Sequence, residues 1–247
     1  MEIIAALLAG SFIGAVLGFV GAGGAMLSVP ILIYIFDFTP HQATTAALAV
    51  VFLAALSGAI PKMVSKEILY RDALVISGLG LITNVGFSTI APSFPDQFIT
   101  TGFALVLLIA GASMLKSPFT DTHRTMPVST LIVVSLIIGS MTGIFGIGGG
   151  FLAIPVLVLF FGTPQKVAAG TSLLIISLNS LIALFAHHHT WGEVDWHIPA
   201  IMAISAVLIA SIASHKGRFA SPELLKRAFA FLLFSIALFT LAHTWLF

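Results

Sequence analysis

One short glycine-rich motif occurs twice in this chain, and it limits the accessible folds more than any other feature. Residues 18–30 read GFVGAGGAMLSVP, and residues 143–155 read GIFGIGGGFLAIP, at an offset of 125 positions. Both copies interrupt long apolar runs. Because glycine lowers helix propensity and lets the backbone turn freely, each copy predicts a break in an apolar helix.

The composition predicts that these breaks lie in a membrane. The chain has 247 residues, of which 59% are hydrophobic and only 8% charged, too few charges to cover a soluble domain of this size. Lipid cannot satisfy bare backbone N–H and C=O groups, so each break must face protein or a water-filled cavity. We therefore expect an all-α polytopic membrane protein with two prepared polar sites.

Composition also narrows the function classes. The chain contains no cysteine, which excludes disulfides, thiolate nucleophiles and cysteine-based metal or iron–sulfur sites. The net charge of +1 comes from scattered basic residues and gives no nucleic-acid signature. We expect no cofactor, no bound metal and no enzymatic activity. Glu2 stands where a signal peptide would carry basic residues, so the first apolar run is interpreted as a retained helix.

Polar or proline- and glycine-rich joints divide the chain into ten apolar segments. The second and seventh have 13 and 11 residues, which reach about 20 and 16 Å against about 30 Å of hydrocarbon, so both are predicted to be half-helices. The ten segments cover residues 3–20, 24–36, 42–61, 69–91, 97–115, 127–145, 151–161, 166–186, 196–214 and 222–246.

The two halves of the chain repeat each other beyond the glycine motifs. Thr39-Pro40 recurs as Thr163-Pro164, and Pro95-Asp96 recurs as Pro222-Glu223. Each half thus carries five segments in the same order, and an odd number of segments makes the second half enter the membrane from the opposite side. We predict two inverted repeats, residues 1–120 and 121–247, each with a glycine-broken, re-entrant helical hairpin followed by three spans.

The distribution of basic residues tests this count. If the chain changes sides of the membrane ten times, loops three, five and nine lie on one face. Nine of the ten lysines and arginines lie in or next to these loops, and only Lys166 would lie on the other face. This bias predicts that these loops are cytoplasmic and that both termini are extracytoplasmic. The nine are Lys62, Lys66, Arg71, Lys116, Arg124, Lys216, Arg218, Lys226 and Arg227.

The tip of each predicted hairpin is the candidate binding site. A short helix begins just after the glycines, where its first N–H groups have no intrahelical partner and its dipole is positive, so the tip can hold an oxyanion. Inverted symmetry would bring the two tips together at mid-depth. The alternative is that the glycines only permit close helix packing. The candidate residues are Gly21, Gly23, Gly24 and Ala25 in the first copy, and Gly146, Gly148, Gly149 and Gly150 in the second.

Polar side chains early in two later segments are further candidates. Thr44 and Thr45 open the third segment, Thr171 and Ser172 lie early in the eighth, and Asn179 follows two turns on. An asparagine in an apolar helix needs a partner, so Asn179 is predicted to point inward. Each hydroxyl has the alternative of bonding only the carbonyl of the preceding turn.

The remaining polar residues argue against a cation substrate. All nine acidic residues lie at segment ends or in loops, so none is predicted at mid-membrane as a cation ligand or proton relay. His187-His188-His189 with Glu193 and His197 is the only constellation that resembles a metal site, but its spacing matches no zinc motif. This loop is interpreted as interfacial, with metal binding and pH sensing as alternatives.

The paired glycine motifs, followed in the second half by Ala169-Gly170-Thr171-Ser172-Leu173, resemble the duplicated signature of the TauE/SafE family of sulfite and organosulfur-anion exporters. The resemblance covers nearly the whole chain. It implies transport of sulfite, sulfoacetate or a related small anion across the bacterial inner membrane. In the first half, Thr44-Thr45-Ala46-Ala47-Leu48 stands where the family would have Gly-Thr-Ser-Leu.

The sequence therefore predicts a secondary transporter for a small oxyanion bound between the two tips. Rocking of one five-segment half against the other would expose the site alternately to each face. The alternatives are a passive anion channel with the same site and a metal-dependent membrane protein built on the histidine loop. The expected partners are a small anionic substrate and the lipid bilayer, with protons as coupling ion and a homodimer left open.

Overall fold

The computed structural model describes residues 2–90, 95–116, 127–145, 150–217 and 219–246. Within these ranges the chain forms ten α-helices and one short 3₁₀ helix. They are α1 (Glu2–Val20), α2 (Gly24–Phe36), α3 (Pro40–Val64), α4 (Tyr70–Ile90), α5 (Asp96–Lys116), α6 (Val128–Phe145), α7 (Gly150–Phe161), α8 (Gln165–Ala186), the 3₁₀ helix (His188–Glu193), α9 (His197–Gly217) and α10 (Pro222–Leu246).

The prediction of an all-α polytopic membrane protein is confirmed in the described part of the chain. The helix bounds follow the apolar runs to within a few residues. Six helices there are long and apolar enough to cross a membrane, namely Glu2–Val20, Pro40–Val64, Gln97–Leu115, Gln165–Ala186, His197–Gly217 and Glu223–Ala242. The predicted half-helices are short, since α2 has 13 residues and α7 has 12.

Local sequence explains where α3 begins. Asp37 adopts a left-handed conformation (φ 56°) at the end of α2 and reverses the chain. Thr39 then accepts a hydrogen bond from the backbone N–H of Gln42, whose side chain accepts one from the Thr39 N–H. Pro40 occupies the first turn, where no N–H donor is needed. This capping box fixes the first turn of α3.

Three glycines on one face of α1 allow it to pack closely and in parallel against α9. A Cβ added to Gly10, Gly14 or Gly18 would lie 2.2–2.4 Å from the carbonyl oxygen of Met202, Ala206 or Ala210, respectively. Small residues at a spacing of four let two helix backbones approach in this way. This stripe of α1 therefore serves close helix packing.

Helix α3 is central, because it packs against α1, α2, α8 and α9. Two hydrogen bonds join it to α9: Ser57 donates to the Val207 carbonyl at 2.7 Å, and Ser214 donates to the Gly58 carbonyl at 2.6 Å. The second of these bonds is buried. Such bonds satisfy polar groups between membrane helices and add a small stabilisation.

The packing interleaves the two halves of the chain. Helix α1 packs mainly on α9 and α4 on α6, while α3 pairs with α8 and α5 with α10. If each helix is replaced by its counterpart in the other half, the α1–α9 pair becomes the α6–α4 pair, and the α3–α8 and α5–α10 pairs become themselves. The same four pairs therefore result. Every one of these four interfaces joins a helix of residues 1–120 to a helix of residues 121–247.

The structure corrects two expectations about lysines. Lys62, expected in a loop, lies in the last turn of α3 and is 2% exposed, because α3 continues to Val64. Lys166, expected on the opposite face, lies at the same end of the bundle as Lys62. The expectation miscounted the loops: Lys166 follows loop seven, which shares a face with loops three, five and nine when the chain changes sides ten times. In agreement, α8 runs antiparallel to α3, and a Cβ added to Gly170 would lie 3.2 Å from the Lys62 Cβ.

Candidate functional site

The first glycine motif forms a sharp reversal between α1 and α2. Helix α1 ends at Val20, α2 begins at Gly24, and Gly21 and Gly23 have φ values of 86° and 90°. L-residues rarely adopt this left-handed conformation, so the reversal depends on glycine at both positions. We call residues 21–24 the first tip.

The N-terminus of α2 at the first tip has no side-chain cap. Gly23 occupies the N-cap position without a side-chain hydrogen bond. Leu27 donates the first bond into the helix, to the Gly23 carbonyl at 3.3 Å, so the N–H groups of Gly24, Ala25 and Met26 precede the first intrahelical bond. These N–H groups and the helix dipole give the first tip a positive electrostatic character.

The first tip is tightly enclosed. A Cβ added to Gly21 would lie 2.6 Å from the Ala169 Cβ, one added to Gly23 would lie 2.6 Å from Leu232 Cδ2, and one added to Gly24 would lie 2.3 Å from Leu17 Cγ. Close packing therefore accounts for part of the glycine requirement here too.

The depth of the first tip differs from the mid-depth position expected from inverted symmetry. Ala169, which contacts Gly21, lies just over one turn from Gln165, the first residue of α8. The tip therefore lies toward the end of the bundle where α8 begins. The physical reason is that α1, with 19 residues, is nearly as long as its partner α9, with 21.

The second glycine motif is only partly within the described residues. Gly146, Gly148 and Gly149 lie outside them, and Gly150 is the first residue of α7. Helix α7 contains Pro155 as α2 contains Pro30, and α7 packs on α8 as α2 packs on α3.

The predicted threonines contact the connections between helices. Thr171 is fully buried; its hydroxyl donates to the Val167 carbonyl at 2.8 Å and accepts from the Leu69 N–H at 3.0 Å. Thr45 Oγ1 lies 2.7 Å from Thr190 Oγ1 in the 3₁₀ helix and donates to the His41 carbonyl. Both threonines therefore connect the start of one helix to a segment in the other half of the chain.

The other predicted side chains differ in exposure. Thr44 donates to the Pro40 carbonyl at 2.8 Å and lines a cavity described below. Ser172 is fully buried. Asn179 is half-buried, and its Oδ1 atom is buried without a hydrogen-bond partner. Helical spacing places Ala169, Ser172 and Asn179 on one face of α8, so the first tip and Asn179 meet the same face at different depths.

Two polar features near the first tip were missed by the sequence analysis. Lys62 forms an ion pair with Glu67, with Nζ 2.8 Å from Oε2. Gln165 is 5% exposed, and both atoms of its amide are buried without a hydrogen-bond partner. The available signal was position: Lys62 follows Pro61 at the end of an apolar run, and Gln165 follows Pro164 at the start of one.

A cavity of about 860 Å³ lies between α1, α2 and α3 on one side and α5 and α10 on the other. Its walls are mostly apolar, with hydroxyls from Thr44, Thr100 and Ser180 among them. Val20 and Leu27 border it next to the first tip, and Leu232, which contacts Gly23, belongs to its wall. The cavity therefore reaches the first tip along α10.

The histidine loop lies at the opposite end of the bundle from Lys62. Burial, His189 and His41 together lower the pKa of His187 below its usual value of 6.5, in that order of importance. Its Nδ1 atom is buried without a hydrogen-bond partner. Within the described ranges, no group of three or more histidine, aspartate or glutamate residues could hold a metal ion.

These features define a multi-pass helical membrane protein with a glycine-dependent reversal between its first two helices. The profile of the family described as "Sulfite exporter TauE/SafE" matches residues 6–240. The chain therefore belongs to the TauE/SafE family of membrane transporters.

Similar proteins from distant organisms are named as probable membrane transporters. A protein of Xylella fastidiosa (strain 9a5c) named "Probable membrane transporter protein" is 28% identical, covering 99% of this chain and 97% of the relative. "Probable membrane transporter protein YunE" of Bacillus subtilis is 27% identical over 79% of this chain and 81% of its own. "Probable membrane transporter protein MJ0441" of Methanocaldococcus jannaschii is 28% identical over 95% and 94%. No solved structure matches the chain.

Proposed function

We propose that this protein is a secondary transporter that moves a small oxyanion, sulfite or an organosulfonate such as sulfoacetate, across the membrane. The observation that carries the proposal is the uncapped start of α2 at the first tip. It presents backbone N–H groups inside the helix bundle. Helix N-termini of this kind bind oxyanions without a charged side chain.

The charge of the substrate follows from the same environment. Removing an ion from water is costly, and the cost rises steeply with its charge. For sulfite, the monoanionic form bisulfite is therefore cheaper to carry than the dianion. The description of the family as sulfite exporters is consistent with this choice.

A second tip of the same kind follows if residues 1–120 and 121–247 are inverted repeats. The helix contacts support this arrangement. A Cβ on Gly14 of α1 would lie 2.4 Å from the Ala206 carbonyl oxygen of α9, and one on Gly139 of α6 would lie 2.2 Å from the Gly80 carbonyl oxygen of α4. Gly139 follows Gly14 by 125 positions, the offset between the glycine motifs. In the proposal, Gly146, Gly148, Gly149 and Gly150 then form a second anion-binding tip toward the opposite end of the bundle.

The moving part in the proposal is the α5–α10 pair. Rocking of whole halves would break the close α1–α9 and α4–α6 contacts, because each of these interfaces joins both halves. Helices α5 and α10 instead pack mainly on each other; α10 approaches the first tip through Leu232, and the cavity lies along most of the remaining boundary with α1, α2 and α3. A displacement of this pair would open and close the first tip while leaving the remaining interfaces intact.

The end of the bundle with Lys62 is cytoplasmic in this proposal. Lys62, Lys66, Lys166 and Lys216 all lie at that end, which fits the preference of basic residues for the cytoplasmic side. Both termini are then extracytoplasmic, and the membrane is the bacterial inner membrane. Reporter fusions that are active only in the cytoplasm should be inactive at either terminus; activity there would reverse the orientation.

Transport can be tested with purified protein in proteoliposomes. We expect flux of sulfite, sulfoacetate or thiosulfate above that of empty vesicles. Gly24→Val should abolish this flux, because the side chain would fill the first tip. Gly78→Val is the matched control, since nothing lies within 4 Å of a Cβ on Gly78 in α4. If Gly24→Val does not fold, Gly24→Ala with Leu17→Ala removes the clash and gives a smaller obstruction.

The same vesicles separate a transporter from a passive channel. A transporter accumulates the anion against its gradient when a proton or sodium gradient is imposed, whereas a channel only equilibrates it. Flux that persists unchanged in Gly24→Val, in folded protein, would remove the first tip from the mechanism. Replacing His187, His188, His189 and His197 together should leave flux intact, which would exclude a mechanism that depends on a metal in this loop.

A further inference from the structure

A fully buried cation lies at the depth of the first tip. Lys62 is 2% exposed, and its ammonium is 2.8 Å from the carboxylate of Glu67, whose side chain is 19% exposed. Glu67 belongs to the connection between α3 and α4, in which Lys66 adopts a left-handed conformation (φ 57°). The lysine is thus fixed in a helix, whereas its partner comes from a loop.

The position of Lys62 follows from two sets of contacts. In the parallel helices α1 and α3, a Cβ on Gly58 would lie 3.7 Å from the Gly18 Cα, so one turn further along each helix Lys62 is level with residues 21 and 22. Two consecutive residues of α8 also place Lys62 at the depth of the first tip, since Ala169 contacts Gly21 and Gly170 approaches the Lys62 Cβ.

The electrostatics of this arrangement favour an anion. The positive end of α2 and the Lys62 ammonium have the same sign and lie at the same depth. A buried ammonium is unstable without a partner, and the Glu67 carboxylate provides one. Carboxylate, sulfite and sulfonate oxygens all accept charge-assisted hydrogen bonds from an ammonium, so a small oxyanion can take the place of Glu67.

Gln165 is an independent sign of a ligand. It lies one turn before Ala169 on the face of α8 that meets the first tip, and its amide nitrogen and oxygen are both buried without a hydrogen-bond partner. Burying an unsatisfied amide is costly, and native proteins retain few such groups. An oxyanion at the first tip would accept from the amide nitrogen.

We propose that Lys62 and Gln165 complete an oxyanion site at the first tip, and that Glu67 is the resident counter-ion displaced by the substrate. This inference rests on the proposed transport function and extends it to named side chains. Displacement of Glu67 frees the connection between α3 and α4, which is also held through the Leu69 N–H to Thr171. Substrate binding is thereby coupled to movement of a loop at one face of the membrane.

The ion pair is tested by opposing effects of its two members. Lys62→Met should weaken sulfite binding and flux by about tenfold or more, the effect of removing a charged hydrogen-bond donor from a buried site. Glu67→Gln should instead tighten sulfite binding several-fold, because the competing carboxylate is lost. Lys66→Met is the control, because Lys66 is exposed and lies four residues after Lys62. This variant should leave sulfite binding and flux unchanged.

A double variant separates function from stability. Lys62→Met with Glu67→Leu replaces the buried ion pair with an apolar pair, an exchange that is often neutral or stabilising. We expect this variant to fold like the wild type and still lose flux. Wild-type flux in the folded double variant would overturn the inference and leave the proposed transport function intact. A wild-type chain that carries none of sulfite, sulfoacetate and thiosulfate would overturn both.

Gln165→Leu provides a second readout. Replacing an unpartnered buried amide with leucine should raise the thermal stability of the substrate-free protein. A ligand role predicts that the same variant loses sulfite affinity, so stability and affinity change in opposite directions. Unchanged affinity would remove Gln165 from the site, whatever the effect on stability.

Discussion

The hydroxyl oxygen of Thr171 accepts a hydrogen bond from the backbone N–H of Leu69 at 3.0 Å, across the boundary between the two halves of the chain. Thr45 makes a related contact at the opposite end of the bundle, where its hydroxyl lies 2.7 Å from that of Thr190. In each case a threonine near the start of one helix holds a connection from the other half.

This relationship predicts the effect of Thr171→Val. Valine keeps the shape but leaves the Leu69 N–H without its acceptor, which should lower the free energy of unfolding by about 1–3 kcal/mol. Thr171→Ser retains the hydroxyl, so its free energy of unfolding should decrease less than that of Thr171→Val. Thermal unfolding of the detergent-purified variants measures the change. A Thr171→Val protein of wild-type stability that no longer binds sulfite would instead identify Thr171 as a ligand.

The α1–α9 interface predicts a strong difference between two glycines. Gly14→Ala would place its Cβ 2.4 Å from the Ala206 carbonyl oxygen, and overpacking of this kind costs about 1–3 kcal/mol. Gly78→Ala, in the interior of α4, meets no atom within 4 Å and should be tolerated. The melting temperatures of the two variants, measured side by side, decide this. Equal stability would mean that α1 and α9 can separate without cost.

His187 predicts a pH dependence of stability. Its folded pKa is lowered by burial and by His189 and His41, so the folded protein favours neutral imidazole. The contribution to stability is therefore complete above the ordinary pKa of 6.5 and is lost as the pH falls below that value toward the lowered pKa. The wild-type melting temperature should decrease between neutral pH and pH values of about 5.

Two variants isolate this effect. His187→Gln should flatten the pH profile, and His189→Gln should weaken the dependence by removing a neighbouring charge that lowers the His187 pKa. His215→Gln, in the last turn of α9, is the control and should leave the profile unchanged. A profile that stays steep in His187→Gln would assign the pH dependence to other groups.

The closeness of α10 to the first tip predicts a reversible block of transport. Leu232 Cδ2 and Val16 Cγ1 lie 2.6 and 3.4 Å, respectively, from the same point, the position of a Cβ on Gly23. Because the chain contains no cysteine, Val16→Cys with Leu232→Cys introduces the only two thiols. A short bifunctional thiol reagent should connect α1 to α10 and stop sulfite flux.

The single-cysteine variants, treated in the same way, are the controls for this experiment. They should retain flux, since a reagent attached to one helix cannot fix the distance between two. Full flux in the cross-linked protein would mean that the α5–α10 pair does not move relative to α1, and the proposed opening of the cavity would then be wrong.

The sequence predicted the helices well because their signals are local. Apolar runs, glycine and proline mark their bounds. The capping box at Thr39 and Gln42, which the sequence analysis did not use, places the start of α3 at Pro40, two residues before the predicted start. The first reversal was also predicted, since two consecutive glycines in an apolar run leave few alternatives. The resemblance carried by the paired motifs likewise indicated the family that residues 6–240 match.

The candidate site was predicted less completely. Gly21 and Gly23 are identifiable because their left-handed backbone conformation requires glycine. Lys62 and Gln165 are not identifiable in this way, because their importance comes from burial beside helices that are distant in sequence. The assignment of Lys62 to a loop was wrong because the last turn of α3 is polar in sequence but buried in the fold.

The sequence by itself determined that this chain is an all-α membrane protein with a glycine-dependent hairpin, because composition and backbone freedom act within a few residues. Only the tertiary structure decided that the two halves interleave, that the first tip lies toward one end of the bundle, and that a lysine is buried beside it. These properties depend on which helix faces come together, and they arise from packing between residues more than 100 positions apart, such as Gly14 and Ala206.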